Sequence, residues 1–414
     1  MEKTMGFSRM LLILAFSWNV LTACSSNSPS APADTKPPAT EITFSGVGSI
    51  GIFDPSVAYD PNTMRLWMSY SYVEPSIYFN TDQHFGVGIR LAYSDDEGQS
   101  WTDAGVTVSE FSDVTVGPLP SVNPALDIPA ASHGTWQSET SSLVYDANAP
   151  VNQRWKIIWH QYLKANGTSY FVDYAWIAMK MAATPMELAT VSPVKLFGGI
   201  YIQAAGESSG APAYSPIAGP AQIALNTDIS NSMVGADPNE LDLCTWGEPG
   251  LFADTTGLHL VINCQYLNGT SVDAYVVMFS CDDPCDMTQA NNWTYKGRIL
   301  SPADASKIGY RNYSAAEISR QGSTHYLIVT PVRDVAESAY DGCRVYQFDN
   351  FNNASLLANI DGFVEVLRYD GLTNVHNGAC SAHEQMTPGI LHSQFRDDSP
   401  PVLFHMQQTN VSVP

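Results

Sequence analysis

Four acidic residues far apart in the chain share one local setting. Asp54, Glu139, Glu248 and Glu317 each stand at or near the start of a short apolar strand followed by a turn and an aromatic-rich strand. The segments read FDPSVAYDPNTMRLWMSYS (53–71), QSETSSLVYDANAPVNQRWKIIWHQYL (137–163), WGEPGLFADTTGLHLVINCQYL (246–267) and SAAEISRQGSTHYLIVTPV (314–332). A fifth hairpin, QMTPGILHSQFRDDSPPVLFHMQQ (385–408), lacks the acid. Carboxyl groups that meet can divide labour: one protonates a leaving oxygen while another activates water or attacks. Cleavage of a glycosidic bond needs that pair. For that division Glu248 would have to stay protonated, which burial and the negative charge of Glu139 and Glu317 favour, and Asp54 would have to stay ionised. Trp136, Trp246 and Tyr266 flank the acids and are expected to stack on sugar rings, with Glu317 and Arg311 completing the substrate contacts. Arg311 and Arg333 can equally serve as ion-pair partners of Glu317.

Distant residues converge only if the strands that carry them surround one axis. A hairpin unit recurring at such intervals predicts an all-β, five-bladed β-propeller, in which the innermost strand of each blade points its first residues at a central pocket. Further strands follow each hairpin. They are GVGIRLAYS (86–94) and AGVTVSE (104–110), then YAWIAMKMA (174–182) and VKLFGG (194–199). AYVVMFSC (274–281) and TYKGRIL (294–300) follow the third, and CRVYQFD (343–349) and GFVEVLRY (362–369) the fourth. Four antiparallel strands per blade result, except in the fifth unit, which has two clear strands. EITFSGV (41–47) is free to complete that last blade and close the ring, removing exposed sheet edges. The irregular stretch 200–243, rich in Gly, Ala, Ser and Asn, reads as an insertion bordering the pocket.

The flanking sequence and the charge narrow the setting. Lys3 and Arg9 precede LLILAFSWNVLTA (11–23), an apolar run closed by small residues, as in an export signal. Its end, Leu21-Thr22-Ala23-Cys24, resembles the lipobox of bacterial lipoproteins, which implies cleavage before Cys24 and lipidation of its sulfur. Residues 24–40 read as a Ser/Pro-rich tether, leaving 41–414 as one domain. By the lipoprotein sorting rule, Ser25 after the lipid cysteine favours the outer membrane, with the domain periplasmic or at the cell surface. Membrane association is expected through the lipid alone, and a monomer is expected. The net charge of −22 repels polyanions, which argues against nucleic acid and sulfated polymers and leaves neutral sugars as substrates. Of seven cysteines, six remain beyond Cys24, an even number that suggests disulfides in an exported chain. Cys244 and Cys264 flank the third hairpin, Cys281 and Cys285 could close a tight turn, and Cys343 and Cys380 remain. Zinc is the rival use, but one short Cys pair has no matching second pair.

Two resemblances bear on function. Asp54-Pro55-Ser56-Val57, with Glu248-Pro249-Gly250 two repeats later, resembles glycoside hydrolase family 43. That resemblance implies a five-bladed propeller with a general base on blade one, here Asp54, and a general acid on blade three, here Glu248. It also implies a tuning Asp on blade two, where this chain has Glu139 instead. The family places a His of the fifth blade near a central ion or water, and His383 is the candidate. No cofactor is expected for the chemistry; a structural calcium on the axis is the one ion the resemblance allows. Ser94-Asp95-Asp96-Glu97-Gly98-Gln99-Ser100-Trp101 resembles the Asp-box of sialidases and related propellers, a structural turn capped by Asp96. The expected function is hydrolysis of neutral, arabinoside- or xyloside-type oligosaccharides. The alternatives are a non-catalytic glycan-binding propeller, which the Glu on blade two favours, and a sialidase-like exo-glycosidase, which the scarcity of arginine disfavours.

Overall fold

Runs rich in β-branched and aromatic residues pair here as antiparallel hairpins, the pleated and half-buried setting in which such side chains pack best. The computed structural model describes residues 40–45, 50–75, 85–116, 132–165, 171–198, 216–217, 221–223, 241, 244–268, 271–333, 340–370, 376–387, 389–395 and 404–414. The signal, Cys24 and almost all of the tether lie outside the described residues, as does most of 200–243. Strands dominate, and no helix among the described residues is long and apolar enough to cross a membrane.

Among the described residues the strands form sheets of nine, five, four and five strands and a two-stranded hairpin, and the nine-stranded sheet divides in chain order into a first and a fifth unit. After β1 (Thr40–Glu41) and β2 (Thr43–Ser45), unit one is β3 (Gly51–Asp60), β4 (Arg65–Pro75), β5 (Phe85–Ser94) and β6 (Ser100–Ser109). Unit two is β7 (Ser112–Val116), β8 (Ser132–Tyr145), β9 (Trp155–Ala165), β10 (Phe171–Ala182) and β11 (Val194–Gly198). Unit three is β12 (Thr245–Asp254), β13 (Gly257–Asn268), β14 (Ser271–Asp282) and β15 (Trp293–Leu300). Unit four is β16 (Asn312–Gln321), β17 (Thr324–Val332) and β18 (Cys343–Asn350), whose outer edge is shared by β19 (Ser355–Leu356) and β22 (Glu365–Tyr369). A two-stranded hairpin, β20 (Ala358–Asn359) and β21 (Gly362–Phe363), lies between them. Unit five is β23 (His376–Ser381), β24 (Leu391–Phe395) and β25 (Phe404–Gln408).

The fifth unit differs from the sequence expectation. Its inner strand is β23, whereas 385–408 supplies the second and third strands. β23 carries no acid, so the tag that marks the other inner strands is missing from it. The N-terminal segment then joins both ends of the chain. β1 pairs antiparallel with β25, and β2 pairs parallel with β6 of unit one. Units five and one also meet where Phe404 pairs with Gly51. A side chain at Gly51, whose φ is 124°, would put its Cβ 2.0 Å from the Phe404 carbonyl oxygen, so only glycine permits that approach.

Apolar clusters fill the seams between successive units. Trp67, Trp136, Trp155 and Trp176 pack between units one and two, and Trp246, Phe279 and Leu196 between two and three. Val276, Leu300 and Leu327 lie between three and four, Ile328 and Ile390 between four and five, and Tyr70, Met386 and Leu391 between five and one. Burying a large aromatic or aliphatic side chain contributes about 1.5–3 kcal/mol, so these seams hold the units side by side. The inner strands of units one to three end in equivalent aspartates that cap the following turn. Asp60 accepts from the Asn62 N–H at 2.9 Å, Asp146 from Asn148 at 3.0 Å and Asp254 from Thr256 at 2.7 Å. Between β5 and β6, Asp96 accepts from the Ser100 N–H at 2.9 Å, Gly98 has φ 88°, and Trp101 is buried. Disulfides join Cys244 to Cys264, Cys281 to Cys285 and Cys343 to Cys380.

Candidate active site

Every inner strand breaks its ladder at one place. The register slips between Phe53 and Ser56, Glu139 and Ser142, Gly247 and Gly250, Ser314 and Glu317, and Gly378 and Ser381. The second residue of each four is left-handed: Asp54 at φ 52°, Thr140 at 48°, Glu248 at 52°, Ala315 at 46° and Ala379 at 49°. A non-glycine residue held there costs on the order of 1–3 kcal/mol, and such strain gathers at functional sites. A bulge also turns its side chain out of the strand's alternation. Asp54 and Glu248 are therefore true equivalents. Unit two places Thr140 at that position, with Glu139 one residue before it, and Glu317 is the fourth residue of its bulge.

The bulges touch in cyclic order. Ser56 accepts from the Leu143 N–H at 3.2 Å, and Ser142 from the Leu251 N–H at 2.8 Å. Gly250 lies against Ala316, Ser381 donates to Glu317 Oε1 at 2.9 Å, and the Val57 N–H donates to Ser381 at 3.2 Å. The space they surround is lined by Asp54, Ser56, Thr140, Ser142, Gly250 and Glu317. A second cavity, about 100 Å³, continues past Glu317 and is lined by Tyr59, Tyr145, Phe252, Arg320 and His383.

Donors grip one oxygen of each equivalent carboxyl. Asp54 Oδ2 accepts from the Thr140 N–H and hydroxyl, both at 3.1 Å, and from Ser71 at 3.2 Å. Glu248 Oε2 accepts from Asn263 Nδ2 at 2.7 Å, the Ala315 N–H at 2.9 Å and the Ser314 hydroxyl. Burial dominates the electrostatics and disfavours every ionised form. It pushes Asp54 well above the usual carboxylate range, helped by Glu139 and Glu248 and opposed by Thr140 and Ser71. Glu139 is pushed up to about 7 by burial and Glu248, against a Tyr162 hydrogen bond and the Lys164 charge. Glu248 is raised by burial, against Ser314 and the Ala315 amide. All three carboxyls are thus held above their ordinary range, and in such a cluster ionisation of one disfavours ionisation of the next.

The other predicted residues fall elsewhere. Trp136 and Trp246 are core residues rather than sugar platforms. Trp136 packs on Trp176 with ring centroids 4.7 Å apart, on the strand face opposite Glu139. Trp246 packs edge-on to Phe279 at 5.7 Å, because the bulge at Gly247–Gly250 aims Glu248 away from the face Trp246 occupies. Glu317 sits between the two cavities; burial raises it well above the carboxylate range, and its hydroxyl partner is Ser381. Arg333 pairs with Asp341 rather than with Glu317. Arg311 is half-buried just before β16, its backbone N–H bonded to the Val332 carbonyl at 2.8 Å. Tyr266 lies on β13, but its side chain is outside the described residues. His383 follows β23 and lines the second cavity, beyond Glu317 from the carboxylates. No group of three or more His, Cys, Asp or Glu that could hold a metal occurs among the described residues.

Ser314, Thr140 and Asn263 were not apparent as site residues from the sequence. A bulge alignment of the inner strands would have found Thr140 and Ser314.

No family model matches the chain, and no curated protein matches it. Solved structures similar to it include a thermostable family-43 glycoside hydrolase, with 10% identity, TM-score 0.46, and coverage of 88% of this chain and 91% of that one. An α-L-arabinofuranosidase from Lactobacillus brevis aligns with 11% identity and TM-score 0.40 over 77% of this chain and 76% of that one. A family 117 glycoside hydrolase of the marine bacterium Zobellia galactanivorans aligns with 10% identity and TM-score 0.43 over 90% of each chain.

Proposed function

We propose that the chain is a glycoside hydrolase in which Glu248 is the general acid, Asp54 the general base and Glu139 the group that tunes both. One observation carries this reading: Asp54 and Glu248 occupy equivalent left-handed bulge positions on the inner strands of units one and three. Each has one oxygen held by donors, and burial raises both above the ordinary carboxylate range; for Asp54 the Thr140 and Ser71 donors work against burial, toward the ionised form a base needs. That supplies a proton donor for the leaving oxygen beside a carboxylate that can activate water.

The architecture that supports the reading is a closed five-bladed propeller. Five seams, the cyclic contacts between bulges, and β1 completing the sheet of unit five all favour it. Neutral oligosaccharides of the arabinoside or xyloside type are the proposed substrates, since the acidic chain disfavours anionic ones. Export and lipid attachment at Cys24 complete the proposal and place the enzyme at a bacterial membrane, with the domain from residue 41 acting as a monomer.

Thr140 favours a second reading. With no carboxyl at unit two's equivalent position, the site could hold glycan without cleaving it. Turnover on aryl arabinofuranoside, xyloside, galactoside and sialoside, with Glu248→Gln and Asp54→Asn as controls, separates the readings. Hydrolysis of one pentoside that falls at least about 10²-fold in both variants supports the hydrolase. Silence with retained glycan binding supports the second reading, and cleavage of the sialoside alone overturns the carboxylate assignment.

A further inference from the structure

Across from the first residue of every bulge, the second strand of the unit carries a polar side chain. Ser71 pairs with Phe53, His160 with Glu139, Asn263 with Gly247, Thr330 with Ser314 and Ser393 with Gly378. The three hydroxyls among them fasten the neighbouring unit by accepting the N–H of its left-handed residue. Ser71 accepts from Thr140 at 3.2 Å, Thr330 from Ala379 at 2.9 Å and Ser393 from Asp54 at 2.8 Å. A backbone N–H buried at such a contact needs an acceptor, which accounts for a polar residue at this place.

Unit three departs from that pattern. Asn263, buried on β13, offers an amide nitrogen in place of an acceptor. Its Nδ2 donates to Glu248 Oε2 at 2.7 Å and to the Tyr313 carbonyl of unit four at 3.3 Å. That carbonyl can only accept, so the nitrogen is the amide atom turned toward both partners. Oδ1 is buried and meets no donor among the described residues. An acceptor left in that state costs free energy, so what the amide contributes lies in its nitrogen. The Ala315 N–H, with no hydroxyl to take it, goes to Glu248 Oε2 at 2.9 Å, and the Ser314 hydroxyl joins it there. Three donors thus converge on one carboxyl oxygen, and a proton placed on that oxygen would meet one of them.

On the reading that Glu248 is the general acid, we propose that Asn263 is a positioning residue for it. By claiming Oε2, the amide leaves Oε1 as the oxygen that carries the proton to the leaving group. Burial raises Glu248, and a donor on Oε2 favours the ionised form, so the amide works against that rise and keeps the proton releasable. Asp54, Glu139 and its partner Lys164, the Tyr340 phenol, and His160 beside Gly247 are the titratable groups around Glu248. Burial depresses the His160 imidazole to about 3, so it stays neutral while the acid titrates.

The test is Asn263→Leu, which keeps the size of the side chain and removes its donor. It is read by carboxyl ¹³C titration of glutamate-labelled protein, with Glu248→Gln identifying the signal. Losing a donor to the ionised form should raise the Glu248 midpoint by about one pH unit. On an aryl glycoside the alkaline limb of kcat/KM should move up by the same amount, kcat should fall because a weaker acid protonates the leaving oxygen more slowly, and KM should hold. A second readout needs no change at 263, should the leucine variant misfold. In the wild type the Asn263 Nδ2 protons should shift with the Glu248 titration, and in Glu248→Gln that response should vanish. An unmoved midpoint, or Nδ2 protons that ignore the titration, overturns the proposal. If the wild type hydrolyses no glycoside yet the midpoint moves, the amide's hold on Glu248 stands and the hydrolase reading falls. If the wild type turns over substrate and the midpoint stays put, the hydrolase reading stands and the positioning role falls.

Discussion

Replacing Glu139 with glutamine should change how the fold responds to pH more than it changes the fold. Burial and Glu248 hold Glu139's pKa at about 7 in the folded chain, against an ordinary value of 4.5. Between those values the folded state keeps a proton that the unfolded chain has lost. Stability therefore falls as pH rises from about 4.5 to 7, and the loss remains above 7. The separation corresponds to about 3 kcal/mol, most of it developed by pH 8. Asp54 and Glu248 are raised too, so the wild type should lose still more, but the difference between the two proteins isolates Glu139 and the couplings that leave with it. Denaturant unfolding of wild type and Glu139→Gln at intervals from pH 4 to pH 8 measures it. The variant should gain about 3 kcal/mol on the wild type across that range, whatever their offset at pH 4. That offset absorbs the lost Tyr162 hydrogen bond, so only the change with pH is diagnostic. Parallel curves would show that Glu139 ionises in the folded protein as it does in water, and would refute a proton-retaining cluster.

Three further outcomes follow from the same geometry. Gly250→Ala would bring a Cβ within 2.1 Å of the Ala316 carbonyl oxygen at the contact between units three and four, and should cost more than about 2 kcal/mol in denaturant unfolding. Deleting residues 40–45 removes the strand pairings with β25 and β6, and should lower Tm by at least about 2–4 °C in calorimetry. Thr140→Ala removes a hydroxyl that donates to Asp54, and should raise the acidic limb of kcat/KM by about a pH unit, whereas Thr140→Ser should leave it near the wild-type value.

The sheet pattern was open to reading because period-2 alternation and aromatic enrichment survive in each hairpin. The strands expected at 86–94, 174–182, 274–281 and 343–349 lie within, or nearly coincide with, β5, β10, β14 and β18. The N-terminal segment 41–47 was expected to complete the last unit, but only Thr40 and Glu41 pair with β25, and Thr43–Ser45 pair with β6 of unit one. What failed was the fifth inner strand. HNGACS, at β23, has no acid, few large apolar residues and a glycine just before the left-handed position, so nothing in it distinguishes a buried strand from a loop. Its identity comes from tertiary contacts alone: Ser381 against Val57 and Glu317, and Ala379 against Thr330.

The site shows the same limit at finer grain. A sequence tag can say that an acid stands near the start of an inner strand, but not which of four bulge positions it fills. The position decides its chemistry. The left-handed residue is turned off the strand's alternation and has one carboxyl oxygen gripped by donors of the next unit, as Asp54 by Thr140 and Glu248 by Ser314 and Ala315. The fourth residue is carried onward, as Glu317 is, to the passage between the two cavities. Glu139, in the first position, joins the cluster from beside it, and Thr140 takes the equivalent place and directs both of its donors to Asp54. A shift of one residue thus separates a carboxyl gripped at the left-handed position from one that sets the field beside it. That field still matters, because without Glu139 the remaining carboxyls would ionise more readily, and on the hydrolase reading the proton for the leaving oxygen would be lost at lower pH.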